Sequence, residues 1–471
     1  MKNILLVEPD FPYSNRSKNR ANEIHKNFAP IGLLKLGAYH KFLGNNVSLV
    51  RGKIDKTKFK YIPDEILVTS LFTYWSDHVW QTIEHYRNLF PNSTINLGGI
   101  YATLHQNTPE FLKNIKKYNV KPYSGIHENA EKFIPDYSLL HEKIDHHITH
   151  AMRGCIRKCA FCGTWKLEPE LKYKKTLELL EELKKAGKNK VIFFDNNFFA
   201  NPHIKDILRS LAELKINNRS VIFESQSGYD GRLLDNDPDL AILLKKARFS
   251  NIRIAWDNGI EDHESIKRQI SYLIKAGYSS KEIYVFMIYN FNIPYEIMIK
   301  KIEYCKKWKV QIADCRYRPL STTFDNYKSY ASKEGQTKKD YYIHEITGWS
   351  DKKIRMFRRL VRQHNMEIRY ANGKKYNKDM EKWSAIHNTY KFFNLGTPPM
   401  FKDIKKNLYL QETIILLNRL KGYMLKNKII PPNLIGLNSS NLNKRIIRLA
   451  KLYNLKIRVN NQNIKNSKLK C

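Results

Sequence analysis

The chain has 471 residues, of which 42% are hydrophobic, 12% aromatic and 27% charged. This mixture is typical of a globular protein, excludes wholesale disorder, collagen and coiled coil, and leaves room for about two to four domains. Lys and Arg number 82 against 45 Asp and Glu, a net charge of +37. The excess favours polyanionic partners, although the abundance of Lys, Asn and Ile is also typical of an AT-rich genome and could account for much of the charge.

Membrane segments and secretion signals are not expected. No apolar stretch approaches the ~20 residues that cross a bilayer. The first apolar run ends at Glu8 and Pro9 without a small-residue cleavage site, so it predicts a strand. Three of the six cysteines fall within eight residues and the others are scattered. This distribution excludes a disulfide framework and favours a metal site in a cytoplasmic protein with no membrane partner.

Residues 1–120 alternate strand and helix signals. The predicted strands are Ile4–Val7, Val47–Val50, Glu65–Leu71 and Ile95–Leu97, and the predicted helices are Ile31–Phe42, Val79–Leu89 and Pro109–Ile115. This order predicts a parallel sheet wrapped by helices, with a ligand crevice at the carboxyl ends of the strands. Residues 121–142 are interpreted as a connector.

Residues 143–330 repeat the alternation with a longer rhythm. The predicted strands are Ile148–Met152, Val191–Phe194, Val221–Glu224, Ile252–Ala255, Ile283–Ile288 and Gln311–Asp314. Six such repeats, with a helix pattern between strands, predict a partial or full β/α barrel, so the fold class is α/β. Residues 331–471 are interpreted as a basic, mainly helical C-terminal region. Within them, residues 341–471 hold 28 Lys or Arg and 7 Asp or Glu.

The chemistry lies in a cysteine motif that follows the first predicted barrel strand. The motif places Cys155, Cys159 and Cys162 at spacings of four and three residues, with Phe161 before the last cysteine. Three thiolates on one loop can hold an iron–sulfur cube and leave one iron open to a small molecule. Zinc is the rival, but a structural zinc site closes with a fourth ligand, and no histidine lies at a finger-like spacing.

At these residues the chain resembles the radical SAM superfamily, whose pattern is Cys-x3-Cys-x-aromatic-Cys after the first strand of a β/α barrel. The resemblance implies a [4Fe–4S] cluster held by the three cysteines, with the open iron chelating S-adenosylmethionine (SAM). One electron then cleaves the sulfonium to a 5′-deoxyadenosyl radical, which abstracts hydrogen from a substrate. The cofactor carries this chemistry, and the protein orients and shields it.

The resemblance also suggests residues that contact SAM. Phe161 would reach the bound nucleoside. The second strand of the family often ends in a Gly-Gly-Glu-like turn that meets the methionyl amino group, and this chain has Asp195, Asn196 and Asn197 there instead. Glu224 and Ser225, at the end of the third strand, could meet the ribose, and Arg253 on the fourth strand could pair with the carboxylate. Each could equally be an ordinary polar group at a strand end.

The N-terminal part resembles the Rossmann-like, cobalamin-binding-like domain that precedes the barrel in one branch of this superfamily. The resemblance rests on Ala29–Leu36, on Ser70 after a strand, and on the Gly98-Gly99 turn, where glycine lets a ligand approach the backbone. The Asp-x-His-x-x-Gly signature that places a histidine on cobalt is absent from the sequence. Members of this branch often hold cobalamin without that histidine, so the resemblance still implies cobalamin as a candidate cofactor, and a domain that kept the fold and lost the ligand is the alternative.

Substrate contacts are expected at the ends of the last two barrel strands. Asp314, Arg316 and Arg318 share one face of an extended strand. Two guanidiniums there would suit a phosphate or carboxylate. The alternative is an Asp–Arg pair that closes the barrel rim. Tyr289 ends the preceding strand and is expected to line the cavity.

The sequence thus predicts a radical SAM enzyme that abstracts hydrogen from an unidentified small-molecule or macromolecular substrate, with cobalamin-dependent methyl transfer as one outcome. A flavodoxin- or ferredoxin-type donor would supply the electron. Nucleic acid is a candidate partner of the basic C-terminal region. The alternative function is a basic nucleic-acid-binding protein whose iron–sulfur cluster is structural or redox-sensing.

Overall fold

The structure is a computed structural model. It describes residues 1–12, 29–329, 335–370, 386–395, 407–431 and 439–452. The chain forms two compact units, Met1–Ile368 and Arg369–Cys471. The first unit is mixed α/β with parallel sheets, as the sequence predicts.

The N-terminal part of the first unit is a five-stranded parallel sheet in the order β2-β1-β3-β4-β5. Its strands are β1 Asn3–Glu8, β2 Asn46–Arg51, β3 Glu65–Ser70, β4 Thr94–Gly99 and β5 Val120–Pro122. Its helices are α1 Ile31–Phe42, α2 Ser76–Leu89, α3 Ile100–His105 and α4 Pro109–Tyr118. Strands β1 and β3 are nearly continuous runs of buried residues, because helices cover both faces of a parallel sheet.

The connector predicted at 121–142 packs against helix α1. It contains α5 Glu128–Glu131. Lys35 of α1 lies 2.7 Å from the Glu131 carboxylate, and Lys41 lies 2.6 Å from Asp136. Lys35 is only 3% exposed, so its ion pair with Glu131 ties the N-terminal sheet to the segment that leads into the second sheet system.

The second sheet system holds strands at all six positions that the sequence predicts. The strands of this region are β6 His147–Thr149, β7 Met152–Arg153, β8 Lys172–Tyr173, β9 Lys190–Phe193, β10 Lys215–Ile216, β11 Arg219–Ser220, β12 Ile222–Ser225, β13 Phe249–Ser250, β14 Ile252–Ala255, β15 Ile283–Tyr289 and β16 Gln311–Arg316. The helices are α6 Thr164–Leu167, α7 Thr176–Ala186, α8 Ile204–Glu213, α9 Gly231–Asn236, α10 Asp239–Lys246, α11 His263–Lys275, α12 Tyr295–Trp308 and α13 Asp351–Tyr370.

The parallel strands of this system follow the order of the chain. One sheet runs β13-β12-β9-β6 and a second runs β14-β15-β16. Asn251, with φ of +53°, separates β13 from β14. A single run of chain therefore pairs with β12 through its first half and with β15 through its second half.

One predicted strand is wrong in its extent. The sequence predicts a single strand over Ile148–Met152, but the chain leaves the parallel sheet after Thr149. Met152 and Arg153 then pair antiparallel with Tyr173 and Lys172. The apolar pattern could not reveal this change of partner, because it reports burial and not which strand lies alongside.

The second unit, taken by itself, contains a helical segment over residues 386–392, α14 Leu408–Lys426 and α15 Ser439–Leu452. A small apolar core includes Phe393, Leu417, Leu420 and Ile446. Over the described ranges of both units, we find no helix with the length and apolar character of a membrane span.

Candidate active site

The three cysteines of the motif lie on the loop that leaves β7, and they line one cavity. Cys155, Cys159 and Cys162 are free thiols and half-buried. The cavity has a volume of about 850 Å³, and Phe161 contributes to the same wall. Phe161 packs edge-on against Phe291, with ring centroids 5.8 Å apart. The loop therefore presents its sulfur atoms to an interior space large enough for a small molecule.

Glu168 fixes the start of the cysteine loop. Its carboxylate accepts from the Gly154 amide at 2.7 Å and from Arg153 at 2.9 Å. Arg153 also donates to Glu131 at 2.9 Å, and Glu131 binds Lys35 of α1. Gly154 has φ of +78°, and a Cβ there would lie 2.6 Å from the Glu170 carbonyl oxygen. The backbone before Cys155 is thus held by charged hydrogen bonds and requires glycine.

Backbone amides point at two of the sulfur atoms. The Arg157 amide donates to Cys155 Sγ at 3.4 Å, and the Thr164 amide donates to Cys162 Sγ at 3.5 Å. Burial raises the pKa of the Cys159 thiol. Hydrogen bonds to sulfur are a feature of iron–sulfur sites, so the donor set fits a [4Fe–4S] cluster. Over the described ranges, no group of three His, Cys, Asp or Glu side chains is arranged to hold a single metal ion.

Another part of the cavity wall is polar. Asn196 and Asn197 line it, and so does Asp230. Asp230 accepts from Arg157 at 2.8 Å and from Arg232 at 2.7 Å. Burial alone would raise the pKa of Asp230, but the hydrogen bonds from Arg232 and Arg157 bring it below its ordinary value. The Asp230 carboxylate therefore stays charged at neutral pH.

Asp257 also lines the cavity, and hydrogen bonds from Lys301 hold the loop that carries it. Burial raises the pKa of Asp257 to about 6, against the opposing effects of Lys301 and Arg232. The fully buried Lys301 ammonium donates to the carbonyls of Trp256 and Asn258, each at 2.7 Å. These two bonds fix the backbone on either side of Asp257.

Asp195 is placed differently from its neighbours Asn196 and Asn197. Its side chain is fully buried, and its carboxyl accepts from the amides of Ala151 at 3.0 Å and Met152 at 2.6 Å. Asp195 is not among the described residues that line the cavity. Its carboxyl joins the end of β9 to the segment between β6 and β7, so it positions the root of the cysteine loop.

Replacing Asp195 with Asn is expected to change how stability depends on pH. Burial raises the pKa of Asp195 to about 7, although the Ala151 and Met152 amides oppose the shift. The unfolded pKa is about 3.9. A raised folded pKa gives a stabilising contribution that is complete below about pH 3.9 and is lost as the pH rises through about 7.

The free energy of unfolding of the wild type should therefore fall relative to Asp195→Asn between pH 4 and 7, by at most about 1.4 kcal/mol per pH unit. Denaturant unfolding of both proteins across this pH range measures the difference in their free energies of unfolding. Titrating groups that both proteins share contribute equally and cancel in that difference. A difference that stays constant with pH would contradict a titrating Asp195.

The residues predicted to meet the ribose and carboxylate of SAM contact one another. Arg253 donates to Glu224 at 2.5 Å and to the Ser225 carbonyl at 2.6 Å. Glu224 and Arg253 are 5% and 7% exposed. The Glu224–Arg253 pair joins β12 of the first sheet to β14 of the second. None of Glu224, Ser225 and Arg253 is among the described residues lining the cavity.

The predicted substrate residues are also engaged elsewhere. Arg316 and Arg318 both pair with Asp325. Asp314 lies 3.7 Å from Arg358, and Tyr289 is buried against the ring of Phe357 at 4.9 Å. The predicted alternative of an Asp–Arg rim pair resembles this arrangement, but the carboxylate that serves both arginines is Asp325, from the segment after β16.

The Gly98-Gly99 turn of the N-terminal sheet lines a separate cavity of about 360 Å³. Helix α1, strands β3 and β4 and the segment around Glu131 form the other walls. Ser70 does not face this cavity. Its hydroxyl donates to the Gly98 carbonyl at 2.7 Å and accepts from the Ala102 amide at 3.0 Å. Gly99 has φ of +100°, and a Cβ there would lie 2.1 Å from the Ser70 carbonyl oxygen.

Several residues of the site escaped the sequence interpretation. Glu168, Asp230, Arg232 and Asp257 follow no motif. Glu168 meets Gly154 and Asp230 meets Arg157 across 14 and 73 residues, and Arg232 contacts Asp230 two residues away. One local signal existed. Asp230 caps α9 by accepting from the Arg232 amide at 3.3 Å, and an Asp before a helix start is a recognisable pattern.

Of the comparisons with known proteins, the family model alone is informative about the cysteine region. No curated protein matches the chain. A solved structure, the carboxyl transferase domain of pyruvate carboxylase from Rhizobium etli with pyruvate, is 11% identical over 91% of this chain, with a TM-score of 0.22. The chain spans 62% of that structure, and a likeness this low informs neither fold nor function.

A family model described as "Radical SAM superfamily" matches residues 150–272. The matched residues include the cysteine loop and strands β9, β12 and β14, together with most of the described cavity wall. Residues 150–272 are therefore similar to a radical SAM domain, which supports an enzyme that uses SAM-dependent radical chemistry.

Proposed function

We propose that Cys155, Cys159 and Cys162 hold a [4Fe–4S] cluster and that the 850 Å³ cavity takes SAM and a substrate from which hydrogen is abstracted. The proposal is supported by one observation above all: three free thiols on one loop, all within the matched residues, line a single cavity. When bound, the cluster supplies the electron that reductively cleaves the sulfonium of SAM. A reducing protein of flavodoxin or ferredoxin type would deliver that electron.

Asn197 is the residue best suited to the methionyl ammonium of SAM. It is 3% exposed, and its Oδ1 is buried without a hydrogen-bond partner, while its Nδ2 donates to Asp230 at 3.4 Å. A buried acceptor without a partner costs free energy, and a cationic donor would relieve that cost. Asn196 is held beside it by a hydrogen bond from the Thr164 hydroxyl at 3.1 Å. We therefore propose Asn196 and Asn197, and not Asp195, as cofactor-binding residues.

Phe161→Ala is expected to keep the cluster and weaken SAM binding. The Phe161 ring lines the cavity between the second and third cysteines, where it can pack against a nucleoside. Losing an aromatic contact of this kind costs about 1–2 kcal/mol, which is about tenfold in affinity. Iron content and SAM affinity, measured on the same preparation, test the prediction. If Phe161→Ala lost iron as well as SAM affinity, Phe161 would hold the cysteine loop in place and not contact SAM.

The decisive experiment is anaerobic reconstitution with iron and sulfide, followed by SAM and dithionite. We expect about four irons per chain and release of 5′-deoxyadenosine. The alternative function, a nucleic-acid-binding protein with a structural or redox-sensing cluster, predicts the iron without the 5′-deoxyadenosine. A protein that binds zinc alone after the same loading would contradict both functions.

Cobalamin stays a second candidate cofactor on the resemblance of the N-terminal part alone, since the cavity of about 360 Å³ beside the Gly98-Gly99 turn is too small to enclose a molecule of that size. The cavity contains Lys35 and Glu131, and Glu131 binds Arg153 at the root of the cysteine loop. Purification with hydroxocobalamin and a visible spectrum test for the ligand. Complete loss of cobalamin on washing, with SAM cleavage intact, would exclude the cobalamin-dependent methyl transfer.

A further inference from the structure

Helix α13 carries a row of basic side chains next to its buried face. That face consists of Ile354, Phe357 and Val361, which are at most 1% exposed. The basic residues recur at spacings of three, four and three residues, and residues at such spacings lie along one side of a helix. They are Lys352, Arg355, Arg359 and Arg362. With a rise of about 1.5 Å per residue, the row extends over about 15 Å of the helix.

This row lines a cavity of about 750 Å³, and Arg358 lines it as well. Among the described residues of the cavity wall, five are cationic and one, Asp351, is acidic. The other described residues of the wall are neutral, and they include the polar side chains of Ser329, Gln336 and Ser350. A concave surface with such an excess of one charge attracts ligands of the opposite charge. The cavity therefore favours an anion.

Two of the arginines are fixed by other side chains. Arg355 donates to the Asp351 carboxylate at 2.8 Å and to the Gln336 side-chain oxygen at 2.9 Å. Arg358 lies 3.7 Å from the carboxylate of Asp314, which is not among the described residues of the wall. These two carboxylates offset the charge of two of the five cations, so a surplus of positive charge remains.

Lys352 and Arg359 supply part of that surplus. Both are exposed, and over the ranges that the structure describes neither forms an ion pair with a carboxylate. Their separation of seven residues places them on the same side of α13, about 10 Å apart along its axis. A ligand that reaches both must therefore carry negative charge over at least that distance.

Composition does not account for the arginines of this helix. The chain has 59 Lys and only 23 Arg, yet four of the 23 fall within residues 355–362. Like charges three or four residues apart on a helix repel one another, so the cluster costs free energy in the absence of a ligand. Phosphate oxygens between the guanidiniums would relieve that cost, and the guanidinium group matches phosphate in geometry. The cluster therefore fits a phosphate-bearing ligand.

We propose that this cavity, the α13 groove, binds the phosphate backbone of a nucleic-acid strand. A single phosphate contacts only part of a row about 15 Å long, whereas each strand of B-DNA carries a phosphate about every 3.4 Å along the axis. Several consecutive phosphates can therefore face the row at once. Backbone contacts of this kind carry no sequence information, so RNA and DNA should both bind. This binding goes beyond the proposed function and requires neither the cluster nor SAM.

The test compares two double variants of the whole chain that lose equal positive charge. Lys352→Ala with Arg359→Ala alters the α13 groove. Lys113→Ala with Lys116→Ala, both exposed on α4 and neither lining the groove, is the matched control. The probes are short fluorescent oligouridylate and oligothymidylate, whose binding is measured by anisotropy from low to moderate salt. Inorganic tripolyphosphate serves as a competitor without a nucleic-acid backbone.

We expect the wild type to bind both probes at low salt, with an affinity that falls steeply as salt rises. The groove variant should bind about tenfold or more weakly. Its plot of log affinity against log salt should be shallower by about 1.4, because each lost phosphate contact removes about 0.7 from the slope. The control should change in affinity less than about threefold and keep the wild-type slope.

Three results would overturn the proposal. They are no binding by the wild type at low salt, equal weakening in the two variants, and an unchanged salt slope in the groove variant. Displacement of the probes by tripolyphosphate at an equal concentration of phosphate groups would also overturn it, because the groove would then prefer a compact polyphosphate to a strand.

Discussion

Changing any one of Cys155, Cys159 or Cys162 to alanine is expected to remove most of the iron and abolish 5′-deoxyadenosine formation. Each thiolate would hold one iron of the cube, and the described part of the cavity wall contains no fourth cysteine that could replace it. Iron should fall from about four to below about one per chain, since a cluster with two protein ligands is not retained through purification. Anaerobic iron and sulfide assays, with product analysis, measure both effects.

Cys305→Ala is the matched control for the cysteine variants. Cys305 is fully buried on α12, and it is not among the described residues lining the cavity. Its loss should lower stability, because a small buried side chain is removed, and leave the iron content unchanged. A motif variant that keeps four irons per chain would contradict the proposed cluster ligands. Loss of iron in Cys305→Ala would show that iron content reports on folding in general.

Gly154→Ala is expected to displace the cysteine loop and to cost at least about 3 kcal/mol of stability. Two effects add at this position. The backbone has φ of +78°, where an L side chain is strained, and the new Cβ would lie 2.6 Å from the Glu170 carbonyl oxygen. To relieve that contact, either the β7–β8 hairpin must open or the hydrogen bond from the Gly154 amide to the Glu168 carboxylate must break. Either movement shifts Cys155, so the reconstituted variant should also hold less iron.

Gly187→Ala separates strain from steric conflict. Gly187 ends α7 with φ of +66°, and a Cβ there would meet nothing within 4 Å. Its replacement should cost about 1 kcal/mol through backbone strain alone and leave the iron content unchanged. Urea unfolding of both variants, with iron assays, measures the comparison. Similar losses of stability in the two variants would mean that the contact with Glu170 relaxes at little cost.

The charged residues at the root of the cysteine loop link it to the N-terminal sheet. Lys35 on α1 contacts Glu131, Glu131 contacts Arg153, and Arg153 contacts Glu168, which in turn accepts from the Gly154 amide. Removing one partner of a buried or half-buried ion pair destabilises the fold, because the other partner is left as an uncompensated charge. The N-terminal sheet thus contributes to the position of Cys155, although 120 residues separate Lys35 from it in sequence.

The sequence by itself determined the local features of this protein. The spacing of the cysteines and the apolar runs at the six strand positions depend on neighbouring residues alone, and both are visible without a structure. The same is true of the alternation that predicts the parallel N-terminal sheet. The motif also identified the superfamily that the family model matches at residues 150–272.

Only the tertiary structure decided which polar groups face the cavity. Asp195, Glu224 and Arg253 all end or lie on strands, as cofactor ligands would, but the folded chain gives them buried partners in the Ala151 and Met152 amides and in one another. A polar side chain at a strand end binds whichever partner the fold brings within hydrogen-bonding distance, and burial makes that bond obligatory. Sequence spacing carries no information about such distant partners, so the contacts of Glu168 with Gly154 and of Asp230 with Arg157 became visible only in the folded chain.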